Sequence, residues 1–245
     1  MGCLDEPGTS HIGPFAREPL TDFVKSKISP IGPVTSRKDF NVSSVLLTMD
    51  LILREEAFTD RPIDGFLIYR FLLDCAQKIL SRNEPEDGEF YLRYADDKGT
   101  HILVDEDCNI TGIIDWEWAH TDTRSAAFRS PMLVLPVCDF FNGKSELGDN
   151  ELLLAKSFEA KGHPELSQAV RDGRALHFFE FCCRYDVPEW RNLIRLFHGL
   201  RRTVGIDGEL KWEEWKKKAL KQWRNDHQLQ ELLSRHPRGR ANRKA

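Results

Sequence analysis

Apolar residues recur at helical spacing over long stretches of the chain, and polar residues mark where those stretches begin. Ser36 precedes Asp39 by three residues, a variant of the capping box, and the apolar positions that follow predict a helix near 37–57. Pro62 suits the first turn of a second helix, which is apolar on most sides and therefore belongs in a core. Further helices are predicted at about 148–161, 164–184, 187–203 and 211–234.

The pattern changes in the middle of the chain, where short runs rich in β-branched and aromatic residues replace the helical spacing. These runs are Glu89–Tyr94, His101–Val104 and Asn109–Ile114, and a turn rich in acidic residues at 105–108 joins the last two. The sequence therefore predicts an α+β fold that is mostly helical, with a small central β hairpin.

Composition and charge exclude several classes of protein. The 245 residues, 40% hydrophobic and 30% charged, suffice to bury a core, so the chain is not of the disordered class. A formal net charge of -4, spread along the chain, predicts neither a nucleic-acid nor a membrane partner.

Six cysteines without C-x-x-C spacing fall mostly in apolar segments, which predicts reduced core thiols. With no membrane-length apolar stretch and no secretion leader, we expect a cytoplasmic protein, and the sequence does not indicate its oligomeric state.

Two terminal segments differ from the rest of the chain. Residues 1–35 are rich in Gly-Pro and Ser-Pro pairs and predict an irregular lead-in. Residues 236–245 form a basic tail, which is typical of a frayed end. The predicted folded domain is therefore 36–235.

The residues that could take part in catalysis lie at the ends of the β runs. Asp96 precedes one run and Asp115 ends the next, and the hairpin could bring the two carboxylates together around a divalent cation and a reacting hydroxyl. Phosphoryl transfer uses one Asp as base, a metal-holding residue about five positions later and a second Asp on Mg²⁺. Here His101 follows Asp96 by 101 − 96 = 5 positions, and Asp115 follows it by 115 − 96 = 19.

These residues carry a resemblance to a known family. The runs Ala95-Asp-Asp-Lys-Gly-Thr-His-Ile-Leu-Val-Asp105 and Ile113-Ile-Asp-Trp-Glu117 resemble the motifs H-x-D-x-x-x-x-N-I-L-V-D and I-I-D-W-E of the aminoglycoside-phosphotransferase and choline-kinase group, within the protein-kinase-like superfamily. The resemblance implies that 36–235 is the helical C-terminal lobe of that fold and that the enzyme uses ATP and Mg²⁺ on a hydroxyl of a small-molecule substrate. It makes Asp96 the catalytic base, Asp115 the Mg²⁺ ligand and Lys98 a cation on the transferred phosphate.

The chain departs from the motif at two positions. Tyr94 stands where the motif has a His that supports the loop, and His101 stands where it has the metal-binding Asn. Two roles are open for His101: an auxiliary metal ligand, as the motif implies, or a polar strand residue hydrogen-bonded to its neighbours. Mg²⁺ prefers oxygen donors, and imidazole is a poor substitute for an amide carbonyl.

The small lobe of the superfamily has no counterpart in the pattern of the first 95 residues. They contain neither a Gly-rich phosphate loop nor a strand with an isolated Lys, so the lobe is predicted to be missing, or vestigial within 1–35. Three readings follow: a phosphotransferase, a non-catalytic kinase-like module that binds a partner or metabolite, or an incomplete sequence of a longer enzyme.

Overall fold

The computed structural model describes residues 36–80, 89–94, 99–116, 119–183 and 189–237. Over these residues the predicted α+β fold, mostly helical, is confirmed. The lead-in at 1–35 lies outside the described residues, as does the tail after residue 237. The helices are α1 (Arg37–Leu53), α2 (Pro62–Leu80), α3 (Arg124–Ala127), α4 (Val137–Phe141), α5 (Asp149–Ala160), α6 (Pro164–Asp172), α7 (Arg174–Cys182), α8 (Trp190–Val204), α9 (Trp212–Gln222) and α10 (His227–Arg235).

The first helix begins where its cap predicted and ends earlier than predicted. The Ser36 side chain accepts a hydrogen bond from the Asp39 backbone N–H at 3.0 Å, which satisfies one of the helix's unpaired donors. The helix stops at Leu53 rather than near 57, because Glu55 and Phe58 both adopt positive φ, of 61° and 53°. Residues in that region cannot continue a right-handed helix.

Two predicted long helices are each divided in the structure. The pattern over 164–184 forms α6 and α7, which meet at Gly173, and the pattern over 211–234 forms α9 and α10. A Cβ at Gly173 would lie 2.9 Å from the Arg129 Cβ, so glycine allows the backbone to lie close to a neighbouring side chain. Asp226 begins α10 by accepting a hydrogen bond from the Leu229 N–H at 3.1 Å. The apolar spacing continues across both breaks, so the pattern predicts a single helix in each case.

The strands form two separate sheets, whereas the sequence predicted one hairpin. Strands β2 (Ile102–Val104) and β3 (Ile110–Ile113) make the predicted antiparallel hairpin, with Ile102 opposite Ile113. Strand β1 (Tyr91–Tyr94) pairs instead with β4 (Ala119–Asp122), which was not predicted, and Tyr94 lies opposite Ala119. The sequence Ala-His-Thr-Asp lacks the apolar alternation that would have marked β4 as a strand.

The described chain divides into two compact units. The first contains residues 36–78, 189 and 211–237, and the second contains 79–80, 89–94, 99–116, 119–183 and 190–210. In the first unit α2 packs against α9 and against Trp223, the residue that ends α9. Phe71 meets the buried Trp215 edge to face with ring centroids 5.9 Å apart, and the Trp223 indole N–H donates to Asp74 at 3.1 Å.

The second unit buries an aromatic cluster together with paired charges. Phe140 of α4 stacks on Phe178 of α7 with ring centroids 4.7 Å apart. Beside them the Arg174 guanidinium pairs with Glu151 at 2.5 Å, and both side chains are almost fully buried. Buried charges are stable when they are paired in this way, and breaking one partner is costly.

The prediction that the cysteines are core thiols is only partly correct. Cys75 and Cys182 are buried core thiols, as predicted, and Cys183 is half-buried. Cys108 and Cys138 are exposed, because Cys108 lies in the hairpin turn and Cys138 on the outer side of the short helix α4. Among the described helices there is none long and apolar enough to cross a membrane.

Candidate functional site

The turn of the β2–β3 hairpin is fixed by an aspartate. The Asp105 carboxylate accepts hydrogen bonds from the backbone N–H of Asp107 at 3.0 Å, and from the backbone N–H and side-chain amide of Asn109 at 2.8 and 3.1 Å. These bonds from Asn109, joined by the one from Asp107, lower the pKa of the Asp105 carboxyl. Asp105 therefore has a structural role in the turn, and the functional groups lie at the opposite end of the hairpin.

At that opposite end the hairpin brings His101 and Asp115 together. The Ile114 N–H donates to the His101 carbonyl at 3.0 Å, which extends the strand pairing by one step. Asp115 then turns out of the extended conformation with φ of 64°, a left-handed region that Asp tolerates better than most residues. Its Oδ2 lies 3.3 Å from His101 Nε2. The two residues predicted as metal ligands are therefore neighbours.

Tyr94 reaches this pair from the neighbouring sheet. Its hydroxyl oxygen lies 2.5 Å from His101 Nδ1 and 3.0 Å from the Ile114 carbonyl oxygen. Its ring packs on Trp116, with centroids 5.1 Å apart, and the Trp116 indole N–H donates to the Ile113 carbonyl at 2.7 Å. The tyrosine thus orients the imidazole through Nδ1. Sequence reasoning gave Tyr94 only a supporting place in the motif, and no spacing signal pointed to this contact.

The strand that carries Tyr94 is anchored by a buried ion-pair cluster that the sequence did not reveal. Arg93 pairs with Asp122 of β4 at 3.1 Å and approaches Glu180 of α7 at 3.8 Å. Glu180 also pairs with Arg129, and both of these side chains are buried. Because Arg93 precedes Tyr94 directly, this cluster fixes the end of β1 from which the tyrosine extends. An Arg within a short strand gives no signal of such long-range partners.

The remaining predicted site residues, Asp96 and Lys98, lie outside the described residues. They belong to the segment 95–98 between Tyr94 and Gly99. Gly99 itself has a φ of 86°, and a Cβ there would lie 2.5 Å from Leu133 Cδ1, so this position requires glycine.

The pair offers one carboxylate oxygen and one imidazole nitrogen to a cation. His101 is largely buried, at 19% side-chain exposure, while Asp115 is 40% exposed. Within the described ranges, no group of three or more His, Cys, Asp or Glu side chains is placed to hold a metal ion. A cation at the pair would therefore draw further ligands from elsewhere. Nucleotide-bound Mg²⁺ commonly does so, because it retains waters and phosphate oxygens and uses only one or two carboxylates.

Comparisons of the chain with protein-family models, with curated proteins and with solved structures found no match.

Proposed function

We propose that this chain is an ATP-dependent phosphotransferase that acts on a hydroxyl of a small molecule, with the helical C-terminal lobe of the kinase-like fold. The observation that carries the proposal is the approach of His101 to Asp115 at the open end of the hairpin, 3.3 Å apart. The resemblance to aminoglycoside phosphotransferases and choline kinases assigns metal-binding roles to these same two positions. Asp115 lies two residues after the end of β3, on backbone with positive φ, so the end of the hairpin positions its carboxylate.

Each residue has a separate task in this proposal. Asp115 holds the divalent cation of the nucleotide through a carboxylate oxygen, and His101 is an auxiliary ligand. When bound, Mg²⁺ would neutralise charge on the nucleotide phosphates. The resemblance gives Asp96 the task of accepting the proton of the substrate hydroxyl and gives Lys98 the task of stabilising charge on the transferred phosphoryl group.

The test compares two substitutions that remove the same charge from the same hairpin. Asp115→Asn is expected to weaken binding of ATP in the presence of Mg²⁺ at least tenfold and to abolish transfer of the γ-phosphate to small-molecule alcohols. Asp107→Asn, in the exposed turn, is the matched control and should change neither. Calorimetric titration with Mg-ATP measures the binding. Equal Mg-ATP affinity in the wild type and Asp115→Asn would refute the proposal.

A second candidate, a non-catalytic kinase-like binding module, is favoured by one specific feature of the hairpin. Its apolar side chains are unusually exposed, with Val104 at 55%, Ile110 at 64% and Ile114 at 47% relative exposure. Neighbouring exposed apolar side chains of this kind are typical of surfaces that bind another molecule. A module of this type would retain its ligand when Asp115 is replaced by Asn and would show no phosphate transfer.

A further inference from the structure

One side of the β2–β3 hairpin is formed by four apolar side chains. Residues that lie opposite each other on two antiparallel strands project from the same side of the sheet. Ile102 lies opposite Ile113, and Val104 lies opposite Ile110. Because Ile102 and Val104 are two positions apart on β2, all four side chains share one side. We call this four-residue surface the apolar hairpin face.

Three of the four side chains on the apolar hairpin face are exposed. The relative exposures are 55% for Val104, 64% for Ile110 and 39% for Ile113. In the described part of the chain, neither strand of the hairpin pairs with a third. An isolated two-stranded hairpin is marginally stable in water, and such hairpins are stabilised by further strands or by a helix packed on their apolar side. A helix or a strand from a partner would therefore complete this element.

The outer edges of the hairpin favour a helix over an added strand. The Trp116 indole N–H donates to the Ile113 carbonyl of β3 at 2.7 Å, and the Ile102 N–H of β2 donates to the Gly99 carbonyl at 3.3 Å. Both bonds go to groups outside the β2–β3 ladder. A third strand would need such backbone groups for its own hydrogen bonds. A helix would instead contact the side chains of the apolar hairpin face and leave these bonds intact.

The charge of the hairpin determines which helix is complementary to it. Residues 99–116 contain four carboxylates and neither Lys nor Arg. Three of the four lie in the turn at 105–107, which directly joins Val104 to the strand that begins at Ile110, and Glu106 is exposed there. An apolar surface bordered by carboxylates favours a partner with Lys or Arg beside its apolar residues, and it disfavours an acidic partner or an anionic lipid surface.

We propose that the apolar hairpin face is a docking surface for a basic amphipathic helix of a partner protein. The apolar stripe of the helix, with residues at positions i, i+3, i+4 and i+7, packs on Val104, Ile110 and Ile113. A Lys or Arg of the helix lies near Glu106 in the turn. The proposal is independent of the proposed phosphotransferase, because none of these four residues has a task in binding the nucleotide or its cation.

The first experiment measures the binding of fluorescently labelled peptides of about 18 residues to the full chain by anisotropy. The basic probe carries Leu at helical spacing on one side and Lys at the other positions. One matched probe has Glu in place of Lys, and another has the same Leu and Lys content in strict alternation, which is typical of a strand. The wild type should bind the basic helical probe about tenfold more tightly than either matched probe, and added salt should weaken that binding.

Variants of the chain test the two parts of the docking surface separately. Ile110→Thr keeps a β-branched residue in the strand but removes apolar contact, and Glu106→Lys reverses a charge in the turn. Each should weaken binding of the basic helical probe about fivefold or more, and Glu106→Lys should also reduce the effect of salt. Leu153→Thr, at another exposed apolar position, and Asp60→Lys, in another exposed turn, are the matched controls and should bind as the wild type does. Circular dichroism confirms that each variant is folded.

Several outcomes would overturn the inference. Equal binding of the three probes, or an affinity that Ile110→Thr leaves unchanged, would show that the apolar hairpin face does not select a basic helix. Tighter binding of the alternating probe would indicate strand addition instead. A dimer that sedimentation detects and Ile110→Thr abolishes, without binding of the basic probe, would show that a second copy of the chain covers the face. Binding of Mg-ATP to the wild type bears only on the phosphotransferase, so the two proposals can fail separately.

Discussion

At the scale of single residues, His177 in α7 lies in an environment that disfavours its charged form. The side chain is buried, with 4% relative exposure, and its ring meets Phe140 edge to face. Burial lowers the pKa of the imidazole well below its ordinary value of 6.5, and the positive charges of Arg129, Arg174 and Arg93 lower it further. His177 is therefore neutral in the folded chain, and the surrounding ion pairs account for the charge balance without it.

The lowered pKa predicts a loss of stability in mild acid. Below pH 6.5 the unfolded chain binds a proton at His177 that the folded chain does not, so the stabilisation present above pH 6.5 decreases as the pH falls towards the lowered folded pKa. The slope is about 1.4 kcal/mol per pH unit for one such group. His177→Gln should show a smaller loss of Tm between pH 7.5 and 5.5 than the wild type, and His163→Gln, at an exposed position, should behave like the wild type. Identical slopes in the wild type and His177→Gln would contradict this assignment.

At the scale of elements, α8 approaches its neighbours through a glycine. A Cβ at Gly199 would lie 2.6 Å from the ring of Phe178 in α7 and 3.0 Å from the Cα of Gly143. Gly143 follows α4 with a φ of 78°, and a Cβ there would lie 2.4 Å from the Arg195 carbonyl oxygen. Phe178 is fully buried and stacks on Phe140, so its ring cannot yield space. The two glycines therefore set the distance between α8 and the turn after α4.

This close approach predicts the sign of a substitution. In a solvent-exposed helix Gly→Ala gains about 1 kcal/mol from helix propensity. At Gly199 the overlap with Phe178 should outweigh that gain, and Gly199→Ala should destabilise the chain by about 1–3 kcal/mol. Arg195→Ala, at an exposed position of the same helix, should stay within about 0.5 kcal/mol of the wild type. Urea denaturation measures both, and a more stable Gly199→Ala protein would show that the contact relaxes freely.

At the scale of the whole molecule, sequence patterns predict secondary-structure elements better than they predict which distant residues contact each other. Cap and periodicity located the start of α1, and the acidic turn located the β2–β3 hairpin, because both depend on residues a few positions apart. The pairing of β1 with β4 and the ion pairs of Arg93 depend on residues brought together by the fold, so no local pattern indicated them. In the candidate site the same division holds. The resemblance assigned His101 and Asp115 to one metal, and the hairpin spacing predicted that Asp96 would lie beside Asp115, although Asp96 is outside the described residues. The contact between His101 and Asp115 and the role of Tyr94 emerged only from the structure.

The first unit joins segments that are far apart in the chain, and this predicts how it loses structure. Trp215 of α9 contacts Phe71 of α2, and Lys216 pairs with Asp64 at 2.5 Å. Arg70 of α2 also pairs with Asp226, the cap of α10, at 3.2 Å. These contacts make α2, α9 and α10 mutually dependent, although about 130 residues of chain separate the first from the other two. Their stability should therefore rise and fall together.

Trp215→Ala tests this dependence. Removing a large buried aromatic side chain costs about 3–5 kcal/mol, and the loss should speed amide hydrogen exchange in α2, α9 and α10 by similar factors. Lys217→Ala, at an exposed position of α9, is the control and should leave all three helices protected as in the wild type. Exchange is followed by mass spectrometry of peptides from each helix. Acceleration confined to α9 would mean that α2 is held by its own contacts, and that the long-range pairs add little to the stability of the unit.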